Sequence, residues 1–151
     1  MSEKFNLLIS NYTHNLDDSY PIVFLSGKMA GLTYEERTGW RNRLASRIQK
    51  YCTIADPTRF DPDNPDPEYQ DYAYRWDLEQ IINCRYFVIN LDYQSSVGTA
   101  QEIMFAWLCG KEILGLKTNK EPLHPWYENK INVMFNNIED LGDYILDYEF
   151  V

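Results

Sequence analysis

Cysteine is scarce in this chain. Cys52, Cys84 and Cys109 are an odd number, and no two have metal-ligand spacing. That argues against a thiolate metal centre or a disulfide framework and leaves free thiols beside apolar neighbours. Positive charge is also short. Fourteen Lys and Arg face 23 Asp and Glu, for a net charge of −9. A nucleic acid polymer, which normally meets a basic face, is therefore an unsuitable partner. A single phosphate on a small molecule is still compatible, because one or two local cations hold it. No apolar run reaches the roughly 18 residues of a membrane span, so no membrane partner is expected. Residues 1–5 lack the basic and apolar regions of a secretory leader, and the expected location is cytoplasmic.

Apolar residues make up 44% of the 151 positions, enough for one globular domain with a real core over residues 1–151. Residues 1–20 read as an N-terminal arm or an edge strand. Within them the sequon at Asn11 and the loop residue His14 carry no functional weight. Residues 21–26 are a continuous apolar run ending in Gly27-Lys28, the pattern of a buried parallel strand and a turn. Thr33 and Glu36 predict a capping box opening a helix of about 18 residues, with an apolar stripe at Trp40, Leu44 and Ile48. The arginines of that helix read as solvated, with Arg37 or Arg41 a candidate to face a cleft. Residues 51–55 are a second strand. Residues 56–67 hold four prolines and read as a loop and candidate lid. An aromatic-rich helix follows over residues 68–83, with Tyr69, Tyr72, Tyr74 and Trp76 better suited to packing than to a binding platform.

Residues 86–91 are a third apolar strand, emptying into a polar turn before a helix that starts at Ser96 or Val97 and ends before Gly110. Residues 112–116 are a fourth strand, 117–125 a loop, and 126–134 and 138–148 helices. A fifth strand has two sources, residues 133–135 or the N-terminal arm. This alternation predicts an α/β fold, a doubly wound parallel sheet in flavodoxin-like (Rossmann-like) order, built as a three-layer sandwich. Ligands bind such sheets beyond the carboxyl ends of the strands. Glu102 stands there, about one and a half turns into its helix, behind the small-residue turn Gly98-Thr99-Ala100. Taken locally, Glu102 suits a residue that complements the helix dipole.

The run Ile89-Asn90-Leu91-Asp92, then Ser96-Val97-Gly98-Thr99-Ala100-Gln101-Glu102, resembles the signature of the nucleoside 2-deoxyribosyltransferase family. Asp77-Leu78-Glu79 and Phe24-Leu25-Ser26-Gly27 resemble two further parts of it, so the likeness spans roughly residues 21–120. It implies that Glu102 is the nucleophile and Asp77 the second carboxyl group. It also implies a homodimer or higher homo-oligomer, with Asn132, or else Asn129, reaching into the neighbour's pocket. The chain departs from the pattern in four places. Phe24 stands where a tyrosine is usual, Ser96 where an aspartate is common, Arg85 where an acid often stands, and Met104 where a glycine does. Serine at position 96 resembles the branch that hydrolyses deoxynucleoside 5′-monophosphates, since a hydroxyl accepts a phosphate that a carboxylate would repel.

The expected reaction is cleavage or transfer of an N-glycosidic bond in a nucleoside or nucleotide, through a covalent glutamyl-sugar intermediate, with no metal or cofactor. Gly27, Lys28, Ser96, Gly98 and Thr99 are the expected substrate-binding residues. Lys28 and the amides of Gly98 and Thr99 would form a phosphate cup. Two other readings compete. One is a non-catalytic nucleotide-binding module, which the missing tyrosine favours. The other is a glycosidase acting on a different nucleotide, such as a dinucleotide.

Overall fold

A computed structural model describes residues 20–150, with the side chains of 148–150 excepted. The N-terminal arm or edge strand expected over residues 1–20 lies, but for Tyr20, outside the described residues, as do the sequon at Asn11 and His14.

Five strands form one sheet: β1 (Ile22–Ser26), β2 (Thr53–Ala55), β3 (Tyr86–Asn90), β4 (Glu112–Leu116) and β5 (Val133–Phe135). All neighbours are parallel and the order is β2-β1-β3-β4-β5. This is the flavodoxin-like order predicted from the strand–helix alternation. The helices are α1 (Tyr34–Ile48), α2 (Pro67–Asn83), α3 (Val97–Leu108), α4 (Pro125–Glu128) and α5 (Ile138–Phe150). Thr33 caps α1 with the full capping box: its side chain accepts from Glu36 N–H while Glu36 accepts from Thr33 N–H.

Alternation along the strands makes two cores. On one face Val23, Leu25, Tyr86, Val88 and Leu114 pack against Trp40, Leu44 and Ile48 of α1 and Leu141 and Ile145 of α5. On the other, Phe24, Phe87, Ile89 and Ile113 pack against Ile81 of α2 and Ile103 and Ala106 of α3. Phe24 and Phe87 stack 5.6 Å apart within the second core. Every residue of β3 is buried, as expected of a central strand covered on both faces. Side chains two apart on β1 share a face, so Ser26 points to the same side as Phe24, towards α2 and α3.

Two local readings are corrected, and the candidate lid is located. Residues 126–134 are not one helix. Helix α4 is a single turn and ends at Glu128, and the chain then re-enters the sheet as β5. The apolar run 133–135 is too short for its period to separate strand from helix, and pairing with Leu114–Leu116 decides it. Arg41 is not solvated: it is fully buried, the largest side chain to be so. The proline-rich stretch 56–67 is pinned to α2. Tyr69 OH accepts from Asp61 N–H at 2.7 Å, and Gln70 donates to Asn64 O at 2.7 Å. Phe60 inserts among Tyr69, Tyr72 and Trp76. The stretch carries one turn of 3-10 helix, Pro57–Arg59, and lines the crevice of the candidate site.

Candidate active site

The β1 and β3 strands lie side by side, but their following helices leave to opposite faces. That is the topological switch point of this strand order, where a crevice opens. Two carboxyl groups meet there. Asp77 comes from α2 and Glu102 from α3, and their side chains are within hydrogen-bonding reach of each other. Asp77 Oδ1 and Glu102 Oε2 are sealed from solvent, and no other donor reaches them. Two carboxylates so placed repel each other, so the stable state near neutral pH holds one proton between them. Burial, first, raises both above the usual carboxylate range, Asp77 to about 7 and Glu102 to about 8. The charge of Asp77 adds to the rise at Glu102. The other oxygen of Glu102, Oε1, accepts from Ser26 Oγ–H at 3.1 Å.

Arg41 lies close by. Its guanidinium donates to the carbonyls of Leu25 (3.3 Å), Gly27 (3.1 Å) and Arg37. It lies 3.6 Å from Asp56 and over the ring of Trp40. Burial brings it down to about 10, against the opposing pull of Asp56, Glu102 and Asp77. The side chain does two things at once. It ties the turn after β1 in place, and it sets a buried positive charge beside the two carboxyls. A Cβ at Gly27 would meet Trp40 at 3.2 Å and Arg41 at 3.4 Å, so the glycine permits this close packing.

A cavity of about 1060 Å³ opens over the pair. Gly27, Met29 and Ala30 form one side, and Pro57, Phe60, Asp61 and Pro62 of the pinned loop another. Ser96, Gly98 and Thr99 at the start of α3 and Tyr127 of α4 line the remainder, with Met104, Leu108 and Trp126 at exposed positions. Ser96 caps α3 by accepting from Thr99 N–H at 3.2 Å. A Cβ at Gly98 would touch nothing within 4 Å, so this glycine leaves open space rather than serving packing. Asp92 accepts from Thr118 and Asn119 and anchors the loop after β4 to the end of β3. Tyr127 OH donates to Gln94 O at 3.0 Å and fixes α4 against the same turn.

The structure thus brings together Glu102, Asp77, Gly27, Ser96, Gly98 and Thr99. It does not bring Lys28 to the cavity, whose wall is formed by its neighbours on either side. Asn132, expected to reach into a neighbouring copy's pocket, lies away from this chain's own cavity. The Asn132 side-chain oxygen accepts from Ile113 N–H at 2.7 Å, and the Asn132 backbone N–H donates to Ile113 O, so it joins the start of β4 to the approach to β5. Ile113 lies towards the opposite end of β4 from the crevice. Ser26 is the site residue that sequence reasoning missed; of the two arginines expected to face a cleft, Arg41 is the one set beside the carboxyls. The signal for Ser26 was a polar residue closing an otherwise apolar buried strand. None of the three cysteines is in a disulfide among the described residues, and burial pushes the Cys84 thiol up to about 12, which makes it unreactive.

Fold and site together define an α/β domain of flavodoxin-like order with a paired-carboxyl crevice at its switch point. The fold is that of the 2-deoxyribosyltransferases. One from Bacillus psychrosaccharolyticus superposes with a TM-score of 0.66 over 82% of this chain and 91% of its own, at 16% identity. A 2-deoxyribosyltransferase from Leishmania mexicana gives 0.58 over 86% and 99%, also at 16%. A CMP N-glycosidase from Clostridium botulinum gives 0.57 over 82% and 97%, at 19%. No protein-family model matches the chain, and no curated protein matches its sequence.

Proposed function

We propose that this protein is a nucleoside 2-deoxyribosyltransferase-like enzyme that cleaves N-glycosidic bonds of deoxynucleosides or their 5′-monophosphates. The observation that carries this reading is the pair of buried carboxyls, Asp77 and Glu102, within hydrogen-bonding reach of each other beneath a cavity large enough for a nucleotide. An oxocarbenium-like sugar needs a carboxylate beneath C1′ and an acid for the departing base, and one proton shared by two carboxyls supplies both. In the first step a Glu102 carboxylate oxygen bonds to C1′ and the C1′–N bond breaks. The bonding pair goes to the base nitrogen, which takes the proton from Asp77. In the second step water, or the nitrogen of another base, attacks C1′. The glutamyl ester opens to the carboxylate, and Asp77 takes up the proton the acceptor loses. Charge and protons balance over the cycle.

Two finer features belong to the same reading. Ser96 and the amides at the start of α3 suit a 5′-phosphate better than a carboxylate in that place would. The exposed apolar residues Met104, Leu108 and Trp126 that line the cavity suit a second copy of the chain closing over it. The test is a panel of nucleosides and nucleotides, each with and without a free acceptor base. Base release alone marks a hydrolase and base exchange a transferase. Tight binding without either overturns the enzymatic reading.

A further inference from the structure

Glu102 receives one side-chain hydroxyl, and it comes from a residue with no chemistry of its own in the scheme above. Ser26 ends β1, is fully buried, and directs its Oγ–H to Glu102 Oε1 at 3.1 Å. Phe24, two residues earlier on the same face, is committed to its stack with Phe87 and has no donor to offer. A buried serine hydroxyl has few reasons to face a carboxyl group unless the contact is used, because it carries a desolvation cost that an alanine avoids.

We infer that Ser26 is a positioning residue, resting on the glycosyl-transfer reading above: its hydroxyl fixes the Glu102 carboxyl and favours its anionic form, opposing the burial and the Asp77 charge that hold the proton on Glu102. The pair has two ways to share one proton, and only one of them leaves a nucleophile. The groups that face Glu102 are Asp77 from α2, Arg41 from α1 and Ser26 from β1, with Asp56 paired to Arg41. Asp77 disfavours the Glu102 anion. Arg41 favours ionisation of both carboxyls and so does not choose between them. The hydroxyl touches Glu102 alone, and a hydrogen bond to the charged form favours that form. It supports the asymmetry the reaction needs.

The experiment compares Ser26→Ala, which removes the donor, with Ser26→Cys, a near-isosteric weak donor, each checked for fold by circular dichroism. In Ser26→Ala kcat falls roughly 10- to 100-fold with KM nearly unchanged, the range for losing one hydrogen bond to a charged group. The optimum of the pH–rate profile moves up by about half a unit, half of a one-unit rise at Glu102. Ser26→Cys falls between Ser26→Ala and wild type. Titration of the Glu102 carboxyl by carbon NMR in the resting protein gives a readout without turnover, with Ser26→Ala raising the midpoints of the pair. Folded Ser26→Ala with wild-type kcat and an unmoved pair overturns the inference. If wild type releases no base from any substrate, the glycosyl-transfer reading fails instead. The NMR shift then still reports whether Ser26 steers the proton.

Discussion

Asp77 and Glu102, 25 residues apart on different helices, hold their carboxyl groups within hydrogen-bonding reach at the one crevice the strand order opens. Neither helix needs them there for stability, and like charges at close range cost free energy. If Glu102 attacks the sugar, Glu102→Gln keeps the fold and loses at least about a thousandfold in kcat, as expected when a nucleophile is removed. Mass spectrometry of wild type quenched during turnover finds the sugar adduct on Glu102. Near-full activity in the variant, or an adduct elsewhere, contradicts the assignment.

The raised carboxyls tie stability to pH. The native pair still binds protons that the unfolded chain releases near pH 4, so the native state binds more protons between about pH 4 and 8. Unfolding free energy therefore falls as pH rises through that window. Removing one charge relieves the loss. Glu102→Gln is expected to melt higher than wild type at pH 8 by about 2–4 °C, which corresponds to ~1 kcal/mol at this size, with little difference at pH 4. Equal melting temperatures at pH 8 would show that the repulsion is absent.

Arg41 is expected to be costly to replace. Arg41→Met keeps the volume but removes donors from Leu25 O, Gly27 O and Arg37 O and takes the cation away from Asp56, which keeps only its bonds from Thr58. Urea denaturation should show a loss of about 3–5 kcal/mol, the range for breaking a buried ion pair. Any residual activity should peak at higher pH, because the charge that favours ionised carboxyls is gone. A variant as stable as wild type would sink this account of Arg41.

In the proposed reaction Ser96 reads the end of the substrate far from the base. Deoxynucleoside 5′-monophosphates should have a higher kcat/KM than free deoxynucleosides, and Ser96→Asp should reverse the ratio, since a carboxylate accepts a 5′-hydroxyl and repels a phosphate. Aspartate is also a good N-cap, so α3 should keep its start. An unchanged ratio in the variant would leave Ser96 as a cap and nothing more.

Assembly gives another expectation. Light scattering at micromolar concentration should give a mass of at least twice the 17.9 kDa chain. Trp126→Glu, at a residue 75% exposed, should lower it towards the monomer. A fully active wild-type monomer would remove the second copy from the proposal.

The sequence by itself determined the class of fold and the two carboxyls. Apolar strands of five residues, capped helices and turn residues are local signals, and parallel connections have one hand, so the β2-β1-β3-β4-β5 order followed from few alternatives. Glu102 was legible because its turn has a specific pattern, and Asp77 because the same resemblance placed it. Tertiary structure decided the rest. Whether Arg41 is solvated or buried depends on carbonyls 14 and 16 residues away in chain, and no helical period reports that. Ser26 meets Glu102 across 76 residues, a pairing that exists only once β1 and α3 pack against each other. Lys28 falls outside the cavity lining and Asn132 binds Ile113, because a side chain's partners are set by its three-dimensional neighbours, which residue type and spacing do not encode.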